Sequence, residues 1–258
     1  MNNLDKKKIV ENLLDTFLEA GKIAKKISKQ GVKITIKPDN SPVTDGDIAV
    51  DELLRKKISH LTPNIPIISE ETVNLEIKNK HKTFWLIDPI DGTKDYISKG
   101  QEYTLNACLI ANLEPALGVV YAPEKNRLFY SYDKGSAFEI NHGKKMNLDC
   151  KKIKNKEIIA LANSDTTPKE VLNIYKKNKV TKTIKMSSSL KFCILAAGEA
   201  DIYAAKARAY EWDIAAGHAV LEHSGGIVTS HDEKKFYYGK ENYKNIPIIA
   251  KRAHNLDK

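Results

Sequence analysis

Two carboxylates stand three positions apart in Asp88-Pro89-Ile90-Asp91-Gly92-Thr93, directly after the apolar run Phe84-Trp85-Leu86-Ile87. Four consecutive apolar residues read as a buried strand. Pro89 fixes its own φ and narrows the conformations open to Asp88, so the chain leaves the strand with little freedom. Gly92 removes a side chain where backbone must come close to something, and Thr93 can cap a helix start, whose free N–H groups attract phosphate. Fixed carboxylates beside an anion cradle suit the holding of divalent metal against a phosphate ester. A plain strand-to-turn reading stays open, because Asp-Pro and Asp-Gly pairs are common turn chemistry. An aspartyl-nucleophile phosphatase fits less well: it needs acids at i and i+2, and here the spacing is i and i+3.

Further acids lie at element ends. Asp45 and Asp47 open a helix behind Val43-Thr44, where they can simply offset the helix dipole. Glu70 and Glu71 follow the short apolar run Pro66-Ile67-Ile68-Ser69; adjacent acids there are costly unless they face solvent or cations. Asp213 begins a helix as part of Trp212-Asp213, where an ordinary N-cap is the alternative to a ligand.

The elements that must position these groups are legible by period. Residues 4–28 predict a helix with Val10, Leu13, Phe17 and Ala24 among its apolar face. Val32, Ile34 and Ile36 alternate as in a half-buried strand, and a turn at residues 38–42 leads to a second helix with Ile48, Val50, Leu53, Leu54 and Ile58 as its apolar set. Residues 72–82 read as an exposed connection. Residues 103–110, 115–121 and 127–132 read as neighbouring strands, with 135–140 as an edge, which implies an antiparallel sheet. Beyond residue 140 the pattern alternates: strands at 158–162, 183–186, 201–205, 227–229 and 246–250; helices at 168–178, at 189–197 behind Ser188 or Ser189, and from Trp212 to Gly225-Gly226.

Composition bounds the class. The chain has 258 residues, 41% apolar and 29% charged, enough for a full core without staples. No apolar run approaches the ~20 residues of a membrane span, and the N-terminus lacks the apolar stretch of a signal peptide. Cys108, Cys150 and Cys193 show no zinc spacing and suit a reducing compartment. Net charge is +9, yet only four of 42 basic residues are Arg, and Lys is spread along most segments. That describes a solvated surface attractive to small anions, not a nucleic-acid module.

Five patterns stand in one order: Ser41-Pro42-Val43-Thr44 with Asp47; Ser69-Glu70-Glu71; Asp88-Pro89-Ile90-Asp91-Gly92-Thr93; Ser188-Ser189-Leu190-Lys191-Phe192; and Trp212-Asp213 with Gly225-Gly226. Together, over nearly the whole chain, they resemble the inositol monophosphatase superfamily of magnesium-dependent, lithium-sensitive phosphatases, and within it the CysQ-type 3'(2'),5'-bisphosphate nucleotidases. Two departures fall near the expected leaving-group site: Ser187 where a Gly precedes the paired serines, and Lys206-Ala207-Arg208-Ala209-Tyr210-Glu211 in place of a Gly-containing loop.

The resemblance implies a layered α+β / α/β sugar-phosphatase fold. Residues 1–140 would carry an antiparallel sheet, paired helices and most metal ligands. Residues 141–258 would carry a smaller sheet with helices, Asp213 and the leaving-group pocket. It implies two Mg²⁺ ions, with room for a third near Glu70 and Asp47. Glu70, Asp88 and the Ile90 carbonyl would hold one, and Asp88, Asp91 and Asp213 the other. Glu70 and Thr93, with Asp47 behind Thr93, would position and deprotonate water. Asp91 and the amides of Gly92 and Thr93 would meet the phosphate. Ser188, Ser189 and Lys191 would face the nucleoside and its second phosphate, although Lys191 also reads as an exposed helix lysine. The implied reaction converts adenosine 3',5'-bisphosphate to AMP and phosphate in sulfur metabolism. Alternatives are an inositol or sugar monophosphatase and a non-catalytic nucleotide- or polyphosphate-binding module. The implied setting is cytoplasmic or peripheral on the cytoplasmic membrane face, as a monomer or homodimer, with a small phosphate ester as partner.

Overall fold

The computed structural model describes residues 3–38, 40–75, 81–152 and 155–252. The first helix, α1 (Asn3–Gln30), buries the stripe Val10, Leu13, Phe17, Ala20 and Ala24. A two-stranded hairpin follows, β1 (Ile34–Ile36) against β2 (Pro42–Thr44). β1 is exposed throughout, contrary to the half-buried strand its alternation predicts, because the hairpin joins neither large sheet. Asp39 in the turn and residues 76–80 of the expected connection lie outside the described residues.

The second helix, α2 (Asp45–Leu61), starts at a capping box. Thr44 Oγ1 accepts from the Gly46 and Asp47 amides, and the Asp47 carboxylate accepts from the Thr44 amide. Val50, Leu54 and Ile58 are buried, whereas Ile48, expected among them, is 48% exposed and borders an open groove with Lys37 and Val43.

The large sheet contains seven strands in chain order: β3 (Ile67–Ser69), β4 (Phe84–Asp91), β5 (Thr104–Ala111), β6 (Glu114–Ala122), β7 (Arg127–Asp133), β8 (Ser136–Asn141) and β9 (Lys144–Asn147). All neighbours are antiparallel except β3 and β4. The edge falls on β9, outside β8, through a short Lys-rich strand that apolar pattern does not reveal.

The smaller sheet has five strands, built from β10 (Ile159–Ala162), β11 (Lys182–Lys185), β12 (Ile202–Ala205), β13 (Gly226–Ser230) and β14 (Ile248–Arg252), ordered β11-β10-β12-β14-β13. A buried ion pair ties β14 to the start of β12: Arg252 Nε donates to Asp201 Oδ1 at 3.1 Å, and the Ile159 amide donates to Oδ2 at 2.8 Å.

Helices complete five layers. α1 and α2 cover one face of the large sheet with Trp85, Ile87, Leu105 and Leu109. Its other face packs Phe84, Leu86, Cys108 and Ile110 with α5 (Leu190–Ala196) and α6 (Glu211–His223), which the small sheet covers in turn. The outer layer is α4 (Lys169–Lys177), resting on Ala160, Ile202 and Ala204. β4 therefore buries both faces, as its unbroken apolar run requires. α6 lies so close to β6 that a Cβ on Gly118 would meet the Ala216 carbonyl oxygen at 2.6 Å. A side chain there would push the helix, and Asp213 with it, off the sheet. Among the described residues, no helix is long and apolar enough to cross a membrane.

Candidate active site

The carboxylates meet where β3, β4 and α6 converge. Asp88 pairs with Asn106 and Asp91 with Thr104, so three steps on β4 oppose two on β5: a one-residue bulge. In a regular strand, residues i and i+3 point to opposite faces; the inserted residue changes that alternation between the two acids. Pro89 has no N–H to lose at such a break. Glu70 continues β3 beside β4, its amide donating to the Ile87 carbonyl at 3.1 Å. Asp213 arrives on the first turn of α6, with Oδ2 accepting from the Tyr210 amide at 2.8 Å. It occupies the third helical position, not the cap.

One oxygen from each of Glu70, Asp88 and Asp213 lies within 4.8 Å of the others. Asp88 is 1% exposed, and its Oδ1 has no hydrogen-bond partner among the described residues. An unpartnered buried carboxylate oxygen is costly, and an all-oxygen donor set suits a hard divalent cation. Asp91 stands beside this trio, its Oδ2 accepting from the Ser189 amide.

Burial first, and then for Glu70, Asp88 and Asp213 the crowding of like charges, shapes the titration. Burial, then Glu70, Asp91, Asp213 and Asp47, hold the Asp88 carboxyl well above the usual carboxylate range. Burial, then Asp91 and Glu70, do the same to Asp213, against the Tyr210 amide and Arg208. Burial lifts Glu70 to about 7, with Lys37 opposing. Asp91 rises to about 6 through burial, restrained by Lys191, the Ser189 amide and Arg208. A divalent ion would remove the cause of the repulsion.

Around this centre the other expected residues fall as follows. Thr93 is the first residue of α3 (Thr93–Ile97), and the cap expected of it belongs to Gly92, whose φ of 95° disfavours residues with a Cβ. Thr93 Oγ1 instead donates to the Ile90 carbonyl at 3.1 Å and reaches Asp47 Oδ1 at 3.4 Å. Asp47 thus serves both the cap of α2 and the hydroxyl of Thr93. Ser189 precedes α5 but its hydroxyl makes no cap bond; Ser188 Oγ accepts from the Leu190 amide at 3.3 Å. Lys191 is buried, not an exposed helix lysine: its Nζ donates to the Ser188 carbonyl at 2.6 Å. Burial brings the ammonium down to about 8, with Asp91 opposing and Arg208 reinforcing.

Next to Asp91 and Asp213 opens a cavity of about 150 Å³, lined by Ser188, Lys191, Lys206, Arg208, Asn163 and Tyr203, among others. Its three cations make it an anion pocket.

Known proteins resemble this chain over most of its length. The inositol monophosphatase family profile matches residues 5–255. The chain belongs to the inositol monophosphatase family. It is 38% identical to the 3'(2'),5'-bisphosphate nucleotidase CysQ of Buchnera aphidicola over 86% of this chain and 84% of that one. Identity to the protein of the same description from Escherichia coli K12 is 36%, covering 80% of this chain and 82% of the other. The crystal structure of CysQ from Bacteroides thetaiotaomicron superposes with a TM-score of 0.77 at 27% identity, over 96% and 97% of the two chains.

Within this family member, sequence reasoning put the segment holding Lys206 and Arg208 near the leaving-group site without giving either a role, and it missed Asn163 and Tyr203 as pocket residues. A signal existed for Arg208: it is one of four arginines in the chain and stands five residues before Asp213. It also missed Lys37, which leaves the hairpin to pair with Glu71 at 2.9 Å and Glu70 at 3.4 Å. No local pattern links that lysine to acids more than thirty positions away.

Proposed function

We propose that this chain is a Mg²⁺-dependent phosphomonoester hydrolase that converts adenosine 3',5'-bisphosphate to AMP and phosphate. The observation that carries the reading is the contact of two unlike sites: a crowded acid cluster and, beside it, a cavity of phosphate size walled by Lys191, Lys206 and Arg208. The acids suit metal against the reacting phosphate, and the cations suit a second phosphate on the leaving group. The CysQ description of relatives at 36–38% identity supports the same substrate.

In this reading Glu70, Asp88 and the Ile90 carbonyl would hold one Mg²⁺, and Asp88, Asp91 and Asp213 a second; Glu70 and Asp47 would border a third position. Mg²⁺ held there would polarise the phosphoryl group, acidify the attacking water and stabilise the departing oxygen. Glu70 would orient the attacking water from one side. From the other, Thr93 Oγ1 receives its hydrogen bond, with Asp47 3.4 Å behind as the group toward which the proton moves. The amides of Gly92 and Thr93 face the phosphate oxygens. Ser188, Ser189, Lys191 and Arg208 position the nucleoside and its 5'-phosphate. Residues 1–140 thus supply most of the ligands, and residues 141–258 supply Asp213 and the leaving-group pocket.

Phosphate release with and without Mg²⁺, from adenosine 3',5'-bisphosphate, inositol 1-phosphate and a sugar phosphate, tests the reading. The expected result is Mg²⁺-dependent release, inhibited by Li⁺, with the highest kcat/KM on the bisphosphate. A higher value on inositol 1-phosphate would move the chain to the monophosphatase branch. Binding without turnover would make it a nucleotide- or polyphosphate-binding module.

A further inference from the structure

We infer that Glu211 is a positioning residue: through the 238–245 segment it fixes the start of α6, and hence Asp213, against the strand that carries Asp88. The inference rests on the reading of Asp213 as a metal ligand.

Asp213 must be held on the first turn of α6 within 4.8 Å of Glu70 and Asp88, like groups that do not bond to it, so the start of α6 has to be fixed from outside the cluster. Glu211, two residues before Asp213, is a completely buried carboxylate directed into a separate set of partners. Its Oε2 accepts from the Gly239 amide at 2.8 Å. Its Oε1 accepts from the Lys240 amide at 3.0 Å and from Lys240 Nζ at 2.9 Å. Lys240 in turn lies over the Phe236 ring, 3.9 Å from its centroid. The same segment grips the preceding residues: the Asn245 amide donates to the Ala209 carbonyl at 3.0 Å, and its side chain to that of Tyr210.

The far side of the segment is anchored to the large sheet. The Tyr238 amide donates to the Leu113 carbonyl at 2.9 Å, between β5 and β6. Tyr243 meets the ring of Phe84, the first residue of β4, at 6.4 Å, and that of Trp212 at 5.8 Å. A continuous chain of contacts therefore runs from Glu211 to the strand of Asp88 without passing through the acid cluster. Glu211 touches neither the cavity nor the acids, so its effect must travel through α6.

Titration calorimetry with Mg²⁺ alone, on the full-length chain without substrate, tests this. Glu211→Gln should weaken Mg²⁺ binding about tenfold or more, the scale typical for loss of a group that supports metal ligands. Asp201→Asn serves as the control, because it breaks a buried ion pair remote from the acids and should lower Tm without moving Mg²⁺ affinity. A Glu211→Gln protein with lowered Tm and unchanged Mg²⁺ affinity would overturn the proposal and leave Glu211 as a core ion pair only. Should that variant fail to fold, Lys240→Met keeps both backbone donors and should still weaken Mg²⁺ binding several-fold; unchanged affinity there overturns the proposal equally. Absence of Mg²⁺ binding by the unsubstituted chain would instead overturn the metal reading itself, and the inference with it.

Discussion

Asp201 and Asp88 are both 1% exposed, yet the chain treats them in opposite ways. Asp201, in the small sheet, is neutralised by Arg252 and accepts from the Ile159 amide and from Asn155. Asp88, in the large sheet, has Glu70 and Asp213 for neighbours and an oxygen without a partner among the described residues. A structural carboxylate is supplied with its cation by the polypeptide. A carboxylate kept for a ligand is left in debt to one.

The largest break in this comparison is Asp88→Asn. It should remove Mg²⁺-dependent phosphate release, on the order of 10³-fold or more in kcat/KM, measured by steady-state kinetics. In the same variant the metal-free Tm should rise, because the folded chain no longer has to bury an acid, charged or protonated, among like groups. Asp201→Asn should do the reverse: a loss of about 3–5 kcal/mol in denaturant unfolding, from a buried Arg252 that loses its counter-charge, with kcat/KM of the folded protein preserved. If both variants lose activity and stability alike, the two acids do not differ in kind.

A smaller effect sharpens the contrast between the acid cluster and the cationic cavity. Arg208→Ala should lower kcat/KM for adenosine 3',5'-bisphosphate about 10–100-fold, the worth of a charge-assisted hydrogen bond to phosphate. Adenosine 3'-phosphate, which lacks the second phosphate, should be nearly indifferent to the change. Equal losses on both substrates would place Arg208 at the reacting phosphate.

The smallest effects are in pH, and the two ends of α6 should show opposite signs. With Glu70 raised to about 7, the metal-free folded chain keeps a proton that the unfolded chain sheds near 4.5, so stability falls as pH rises through that window. Saturating Mg²⁺ requires the charged acids and should abolish the fall. At the other end, burial lowers His223 to about 4 from 6.5; the unfolded chain takes up its proton first, so stability falls as pH drops through 6.5 toward 4. Thermal unfolding between pH 4 and 8, with and without Mg²⁺, reads both slopes, and His223→Gln should flatten the acid one.

The contrast also explains what sequence could and could not reveal. The period of α1 and the unbroken apolar runs of β4 and α6 follow from burial and mark these elements in the sequence, although β4 continues through Pro89 to Asp91, beyond its apolar run. The acids were visible because they sit at element ends, in Asp88-Pro89-Ile90-Asp91-Gly92-Thr93 and Trp212-Asp213. The bulge that re-aims Asp91 was not, although a proline inside a strand and an odd spacing of two acids both hinted at it. Long-range partners left no local mark. Nothing about Lys37 announces Glu71, and nothing about Glu211 announces the Lys240 that neutralises it. The exposed β1 carries the alternation of a buried strand, because period records which residues could be covered, not whether anything covers them.

The central claim is that acids from separate parts of the chain share divalent ions. Anomalous diffraction from crystals soaked in Mn²⁺, as a stand-in for Mg²⁺, tests it most directly. The account predicts anomalous density between Glu70, Asp88 and Asp213, with carboxylate oxygens at about 2.0–2.2 Å. Crystals saturated with Mn²⁺ in which no density approaches Asp88, while the three carboxylates keep their mutual distances, would contradict it.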